Sequence, residues 1–311
     1  MPCVCLDHFF HNNSSNVTQI KYCTPLKVLQ GHSAYVNSIK FSPNGSQLVS
    51  SADDQTIRIW DVNSGNEIQI LKRNSTKISN AQFSPDGNML VFSEDKTIRL
   101  WNIKSNSEIK KLEGHIDIIK TVQFSPDGSI IASGSSKIIL LWDVKSGQMI
   151  KILFGYSEIH DLQFSPDGQT IASAFNDTSI SIWNVRSYQK LHQLGDNLNI
   201  VTSAKFSSDS RFIVSCSLDK TIRIWDVISE KEIKRLKRHT HDIIDAKFSL
   251  DGQTIVSYSS DGSISLWDVQ LGVEIQKLKG HSRIVTGIDI SPDSKTIVSC
   301  SRDTKIRLWQ R

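Results

Sequence analysis

The sequence predicts an all-β chain in which seven copies of one four-stranded antiparallel unit stand side by side and close into a ring. Three observations predict it. All seven tryptophans, Trp60, Trp101, Trp142, Trp183, Trp225, Trp267 and Trp309, recur at intervals of 41, 41, 41, 42, 42 and 42 residues. Each ends a β-branched, alternating segment such as Thr56–Trp60 (TIRIW), Thr97–Trp101 (TIRLW) or Thr221–Trp225 (TIRIW), which has the period of a strand. The last unit has its Trp strand and no fourth strand after it, and a segment of the right kind stands at the front of the chain.

Within a unit the elements follow in a fixed order. An inner strand ends at Phe41, Phe83, Phe124, Phe164, Phe206, Phe248 or Ile290, 18 or 19 residues before the Trp, and opens a turn such as Ser84-Pro85-Asp86-Gly87. Pro followed by Asp-Gly is turn chemistry, because proline presets φ and glycine accepts a positive one. A second strand leads to the Trp strand. A further turn such as Asn63-Ser64-Gly65 then leads to a Lys-rich outer strand such as Glu108–Leu112. One such unit cannot bury both faces alone, so the units must stack, and closing the ring leaves no unit exposed at an end. Pro25–Gln30 followed by Gly31-His32 matches Ile275–Lys279 followed by Gly280-His281, so the N-terminal strand should complete the last unit and shut the ring.

Composition sets outer limits. At 311 residues the chain exceeds what one conventional core supports, which again favours repeats, and 38% hydrophobic with 22% charged residues is globular composition. Apolar runs such as Ile138–Trp142 fall far short of the roughly 18 residues a membrane-spanning helix needs. A net charge of +4, from 36 Lys plus Arg against 32 Asp plus Glu, does not argue for nucleic acid. The basic run Lys231–Arg238 lacks interleaved aromatics and reads as a protected sheet edge. Five cysteines and an N-terminus without a basic flank or long apolar stretch suggest a cytoplasmic or nuclear protein, which leaves the sequons at Asn13, Asn16 and Asn74 without meaning. Residues 1–20 are expected to be a disordered tail ahead of a single ring of residues 21–311. Cys3, Cys5, His8 and His11 are too closely spaced for a usual structural zinc site, and no metal or cofactor is expected. Cys216 and Cys300 hold equivalent positions two units apart, too far to bond.

His, Ser and Asp recur together as His32, Ser50 and Asp54 before Trp60, as His239, Ser257 and Asp261 before Trp267, and as His281, Ser299 and Asp303 before Trp309. A catalytic triad is needed once, so a set repeated in phase reads as structural. With Gly31-His32, Gly114-His115 and Gly280-His281 paired to Trp60-Asp61, Trp142-Asp143, Trp225-Asp226 and Trp267-Asp268, residues 25–311 resemble the WD-repeat family. That resemblance implies a seven-bladed β-propeller of four-stranded blades, in which the repeated Asp, His and Ser form a hydrogen-bonded chain to the indole N–H. The second unit has Asn74 and Phe92 in place of His and Ser, and the third has Ser136 in place of Asp. The fourth and fifth lack the His and offer Tyr156, and Asp196 or Asn197, nearby. Blades 2, 4 and 5 should therefore be the looser ones.

Function should sit on loops and strand ends, because packing consumes the strands. In similar propellers the position four before each Phe lines the mouth of the central channel, here Asn37, Ser79, Lys120, His160, Thr202, Ile244 and Thr286. The positions two earlier are Tyr35, Lys77, Ile118, Glu158, Ile200, Asp242 and Ile284. The residue before each turn Asp joins that face, giving Asp53, Glu94, Ser135, Asn176, Leu218, Ser260 and Arg302, with Ser135 placed by analogy. An apolar centre with scattered charge suits a protein or peptide partner. The innermost ring has no aromatic, so the arginine clamp of one subset of the family is not expected. The resemblance thus implies a non-catalytic interaction scaffold, a monomeric propeller within a larger complex. The alternatives are a substrate-recruiting subunit, as of a ubiquitin ligase or chromatin complex, and a propeller enzyme working through His160, Glu158 and Lys120.

Overall fold

The computed structural model describes residues 22–73, 78–195, 199–237 and 241–311, and among them there is no helix. Seven separate four-stranded antiparallel sheets form the blades, and in the first six the strands are ordered from inner to outer as the chain runs. In blade 1 the strands are Val36–Phe41, Gln47–Ala52, Thr56–Asp61 and Glu67–Lys72. Alternation gives every blade two faces, and neighbouring blades bury them against each other. The core is accordingly a series of layers between blades. One layer joins Val49, Ile57, Ile59 and Leu71 of blade 1 to Ile78, Ala81, Phe83 and Leu90 of blade 2. Outer strands keep a single buried anchor, Leu29, Leu71, Leu112, Leu153, Leu194, Leu236 and Leu278, one per blade. The other outer-strand side chains stay partly or largely in solvent.

The ring closes as the repeat demands. Thr24–Leu29 pairs antiparallel with Ile306–Gln310, from Thr24↔Gln310 to Leu29↔Ile306, so blade 7 takes its outer strand from the front of the chain. Side chains reinforce the closure. Thr286 Oγ1 donates to the Val36 carbonyl at 2.5 Å, and Asp289 Oδ2 accepts the Phe41 N–H at 2.9 Å.

Turns between the first two strands use left-handed residues. Gly45, Gly87, Gly128, Gly168 and Gly252 take φ of 67–74°, whereas Ser210 and Ser294 hold the same conformation with a side chain, at 63° and 58°.

Two hairpins depart from the common pattern. In blades 2 and 3 the strand pairing runs to Glu94↔Thr97 and Ser135↔Ile138, leaving turns of only two residues, Asp95-Lys96 and Ser136-Lys137. The missing residue draws Glu94 and Ser135 into the strands, where they are 7% and 1% exposed. Both are thus buried strand residues rather than exposed turn residues.

Candidate functional site

In blade 1 the Trp60 indole N–H donates to Ser50 Oγ at 2.8 Å, and that hydroxyl lies 2.7 Å from His32 Nε2. His32 Nδ1 lies 2.8 Å from Asp54 Oδ2. The bonding fixes the tautomer: Nε2 accepts from the hydroxyl, and Nδ1–H donates to the carboxylate. Burial alone would raise the Asp54 carboxyl, but hydrogen bonds from His32 and Thr56 override it and hold it far below the usual range. Blade 7 repeats the set, with Trp309 to Ser299 at 3.0 Å, Ser299 to His281 at 2.8 Å and His281 to Asp303 at 2.9 Å. These distances would suit a hydrolase triad. The serines, however, are fully buried and already receive an indole N–H, so they are not placed to attack a substrate.

The remaining blades show the network wearing down. In blade 3, Trp142 and His115 both reach Ser133, at 2.9 and 2.7 Å, but His115 Nδ1 has no partner among the described residues. Burial without a carboxylate lowers His115 to a pKa of about 4. Blades 4, 5 and 6 keep the Trp–Ser bond, each at 2.8 Å, as Trp183–Ser173, Trp225–Ser215 and Trp267–Ser257. His239, Asn74, Asp196 and Asn197 lie outside the described residues, as do Arg238 and the tail with Cys3, Cys5, His8 and His11. Blade 2 has replaced the network. With Phe92 at the serine position, Trp101 Nε1 finds no acceptor among the described residues, and the Arg73 guanidinium stacks 5.5 Å from the Phe92 ring and 5.8 Å from the Trp101 ring. Glu94 binds Arg73 and Arg99, each at 3.0 Å.

Of the predicted mouth residues, Glu94 and Ser135 are the buried strand residues described above and Lys77 is outside the described residues; the rest lie at the starts of the inner strands or in the loops beside them. Their loops are joined by a repeated backbone bond, in which the N–H of Asp53, Asn176, Leu218, Ser260 and Arg302 reaches the carbonyl of Tyr35, Glu158, Ile200, Asp242 and Ile284 in turn. Ile118 lies half-buried beside them. Four of the innermost ring positions hold blades together. Asn37 donates to the Ile78 carbonyl, Ser79 to Ile119, Thr202 to Ile243 and Thr286 to Val36, at 2.5–3.1 Å. Lys120, His160 and Ile244 make no such seam. Lys120 pairs with Glu158 at 2.9 Å, and this cation, by hydrogen bond and charge, lowers the Glu158 carboxyl. His160 Nε2 is 3.5 Å from Asn176 Oδ1, the limit of a hydrogen bond. Glu158 is thus held ionised against an exposed lysine.

Sequence reasoning missed the most developed cluster on this face, where blades 7 and 1 meet. Exposed Tyr35 has the guanidinium of Arg283 5.8 Å and that of Arg302 5.6 Å from its ring centre, and Arg283 donates to its hydroxyl at 3.2 Å. A recess of about 470 Å3 opens beside them, lined also by Ser33, Asp53 and Thr304. Asp53 accepts a hydrogen bond from Asn37 at 2.7 Å and Asp303 is held by His281, so the nearby carboxylates are engaged elsewhere. Arg302 was in the expected set. Arg283 has no repeat-phase signal, and only folding brings it to Tyr35. Among the described residues no group of His, Cys, Asp or Glu is arranged to hold a metal ion. Cys23, Cys216 and Cys300 are buried free thiols.

Residues 91–310 match the family model described as IFT122 first beta-propeller, and residues 23–61 and 65–102 match WD domain, G-beta repeat. The chain belongs to the WD-repeat β-propeller family. Propellers of this family generally mediate protein–protein contacts and are typically non-catalytic. Curated relatives match over short stretches. The uncharacterized WD repeat-containing protein sll1491 of Synechocystis is 41% identical over 64 residues, 20% of this chain and 18% of that protein. The ribosome biogenesis protein BOP1 homolog of Monosiga brevicollis is 43% identical over 47 residues, 15% of this chain and 6% of its own. Apoptotic protease-activating factor 1 of Danio rerio is 58% identical over 31 residues, 10% and 2%. The chain thus spans less than a fifth of each of these relatives, and the likeness is that of the WD repeat itself.

Proposed function

We propose that this WD-repeat protein is a non-catalytic scaffold that binds a protein or peptide partner on the channel-mouth face, centred where blades 7 and 1 meet. The observation that carries the reading is the Tyr35–Arg283–Arg302 cluster beside an open recess. Tyr and Arg are the residue types in which binding energy concentrates, and their stacking lowers the entropy lost when a partner docks. Ile200, Leu218 and Ile284 add half-buried apolar surface on the same face. Recruiting a substrate to a larger enzyme is one form of this role and would use the same surface. A photo-crosslinking amino acid at position 35, compared with one at Leu250 on the opposite face, tests the placement in cells. The reading expects crosslinked partners from position 35 and not from 250; the reverse pattern would overturn it.

A further inference from the structure

The far half of the central channel has a chemistry of its own, separate from the mouth. At this end, the residue before the last Phe or Ile of the inner strand stitches three blades to their neighbours. Gln123 Oε1 accepts the Phe164 N–H at 3.0 Å, Gln163 Oε1 accepts that of Phe206 at 2.6 Å, and Asp289 Oδ2 accepts that of Phe41 at 2.9 Å. Blades 1, 5 and 6 carry Lys40, Lys205 and Lys247 at this position, and an ammonium cannot accept. Three seams are therefore given up to place three amines in one tube. We propose that this half of the channel is a binding site for a phosphate-type oxyanion, held by Lys40, Lys205 and Lys247 with the side-chain amides of Gln123 and Gln163.

A cavity of about 400 Å3 is lined by all five of these residues together with Gln82, Asp161 and Asp289. Its carboxylates are already engaged. Asp161 takes Lys205 Nζ at 2.7 Å and the Ala204 N–H at 3.2 Å, and Asp289 takes Lys247 Nζ at 2.6 Å besides Phe41. Asp245, the third carboxylate facing these amines, accepts the Ala246 N–H at 2.9 Å. Lys247 also shares a hydrogen bond with the Lys40 amine, and among the described residues donors still remain in surplus: the other N–H groups of Lys40, Lys205 and Lys247, and the amide N–H2 of both glutamines. Among the described residues Lys40 has no carboxylate partner. An oxyanion offers only acceptors, carries the charge Lys40 lacks, and has more lone pairs than a carboxylate to meet donors from several blades.

The electrostatics agree. Burial first, then Lys247 and Lys205, press Lys40 down to a pKa of about 7, against the pull of Asp289. A bound anion raises that pKa, so binding takes up a proton above about pH 7 and weakens as pH rises through that range.

Titration calorimetry on the full chain tests this, with sulfate as the anion that does not itself titrate, and chloride as a comparison. Run in two buffers of different ionisation enthalpy, sulfate should saturate one site, with proton uptake and weaker binding at pH 8.5 than at 6.5. Lys40→Gln should weaken binding about tenfold or more, the loss of one charge-assisted hydrogen bond. The same variant should melt no lower than wild type without anion, because it supplies the acceptor that Gln123 and Gln163 supply elsewhere. Lys104→Gln, at an exposed lysine on an outer turn, should bind like wild type. Inorganic phosphate bound together with glycerol 3-phosphate assigns the site to a phosphomonoester end, and phosphate alone assigns it to the free ion. Sulfate binding unchanged in Lys40→Gln, or no saturable binding by a wild type that is folded, overturns the proposal.

Discussion

Deleting one buried hydroxyl should unfasten a blade, and by an amount that depends on which blade. Ser50→Ala removes the acceptor of the Trp60 N–H and the donor to His32 Nε2, both inside the protein. Leaving a buried polar group unpaired costs about 1–3 kcal/mol, and Asp54 holds the imidazole so that it cannot turn elsewhere, so about 2–4 kcal/mol is expected. Ser173→Ala in blade 4 strands only the Trp183 N–H and should cost about 1–2 kcal/mol. Ser133→Ala should fall between them, because His115 has no Asp to hold it in place. Denaturant unfolding monitored by tryptophan fluorescence gives the differences from midpoints at constant slope. Equal losses in all three variants, or a smaller loss for Ser50→Ala than for Ser173→Ala, would refute the claim that the network adds stability in proportion to its length.

Other outcomes follow from the same structure. His115 is held neutral with a pKa of about 4 against 6.5 for a free histidine, so its contribution to stability is intact above pH 6.5 and lost as pH falls toward 4. That difference is worth about 3 kcal/mol, and unfolding titrations of His115→Gln should lack this part of the slope. Removing residues 1–30 strips the outer strand Thr24–Leu29 from blade 7 and should sharply lower the melting temperature, whereas removing 1–18 should not; equal effects in calorimetry would contradict closure by that strand. Lys220→Gly relieves a left-handed φ of 67° at an exposed turn and should stabilise by a few tenths of a kcal/mol in the same unfolding assay.

The repeat was legible because buried indoles and alternating strands recur in phase, and the match between the two ends predicted the closing strand. The shortened hairpins of blades 2 and 3 were legible in principle. Phe-to-Trp spacing is 18 residues there and 19 elsewhere, and that one residue moves Glu94 and Ser135 from the turn into the strand. What phase could not convey is the partnership between neighbouring blades. Asn37, Ser79, Thr202 and Thr286 read as free mouth residues until their bonds to the next blade are seen. Tyr35 and Arg283 are 248 residues apart and meet only because the ring closes. The arginine replacement in blade 2 was hidden for a similar reason, since Arg73 comes from the loop ahead of that blade and stands at no repeated position.

The measurement that bears most directly on the scaffold reading is affinity capture with mass spectrometry from the native cell. Wild type would be compared with a folded Tyr35→Ala, Arg302→Glu variant and a Leu250→Glu variant on the opposite face. The account predicts a set of partners retained by Leu250→Glu and lost from the Tyr35 and Arg302 double variant. Partners that survive the double variant and disappear with Leu250→Glu would contradict it and move the interface to the other end of the propeller.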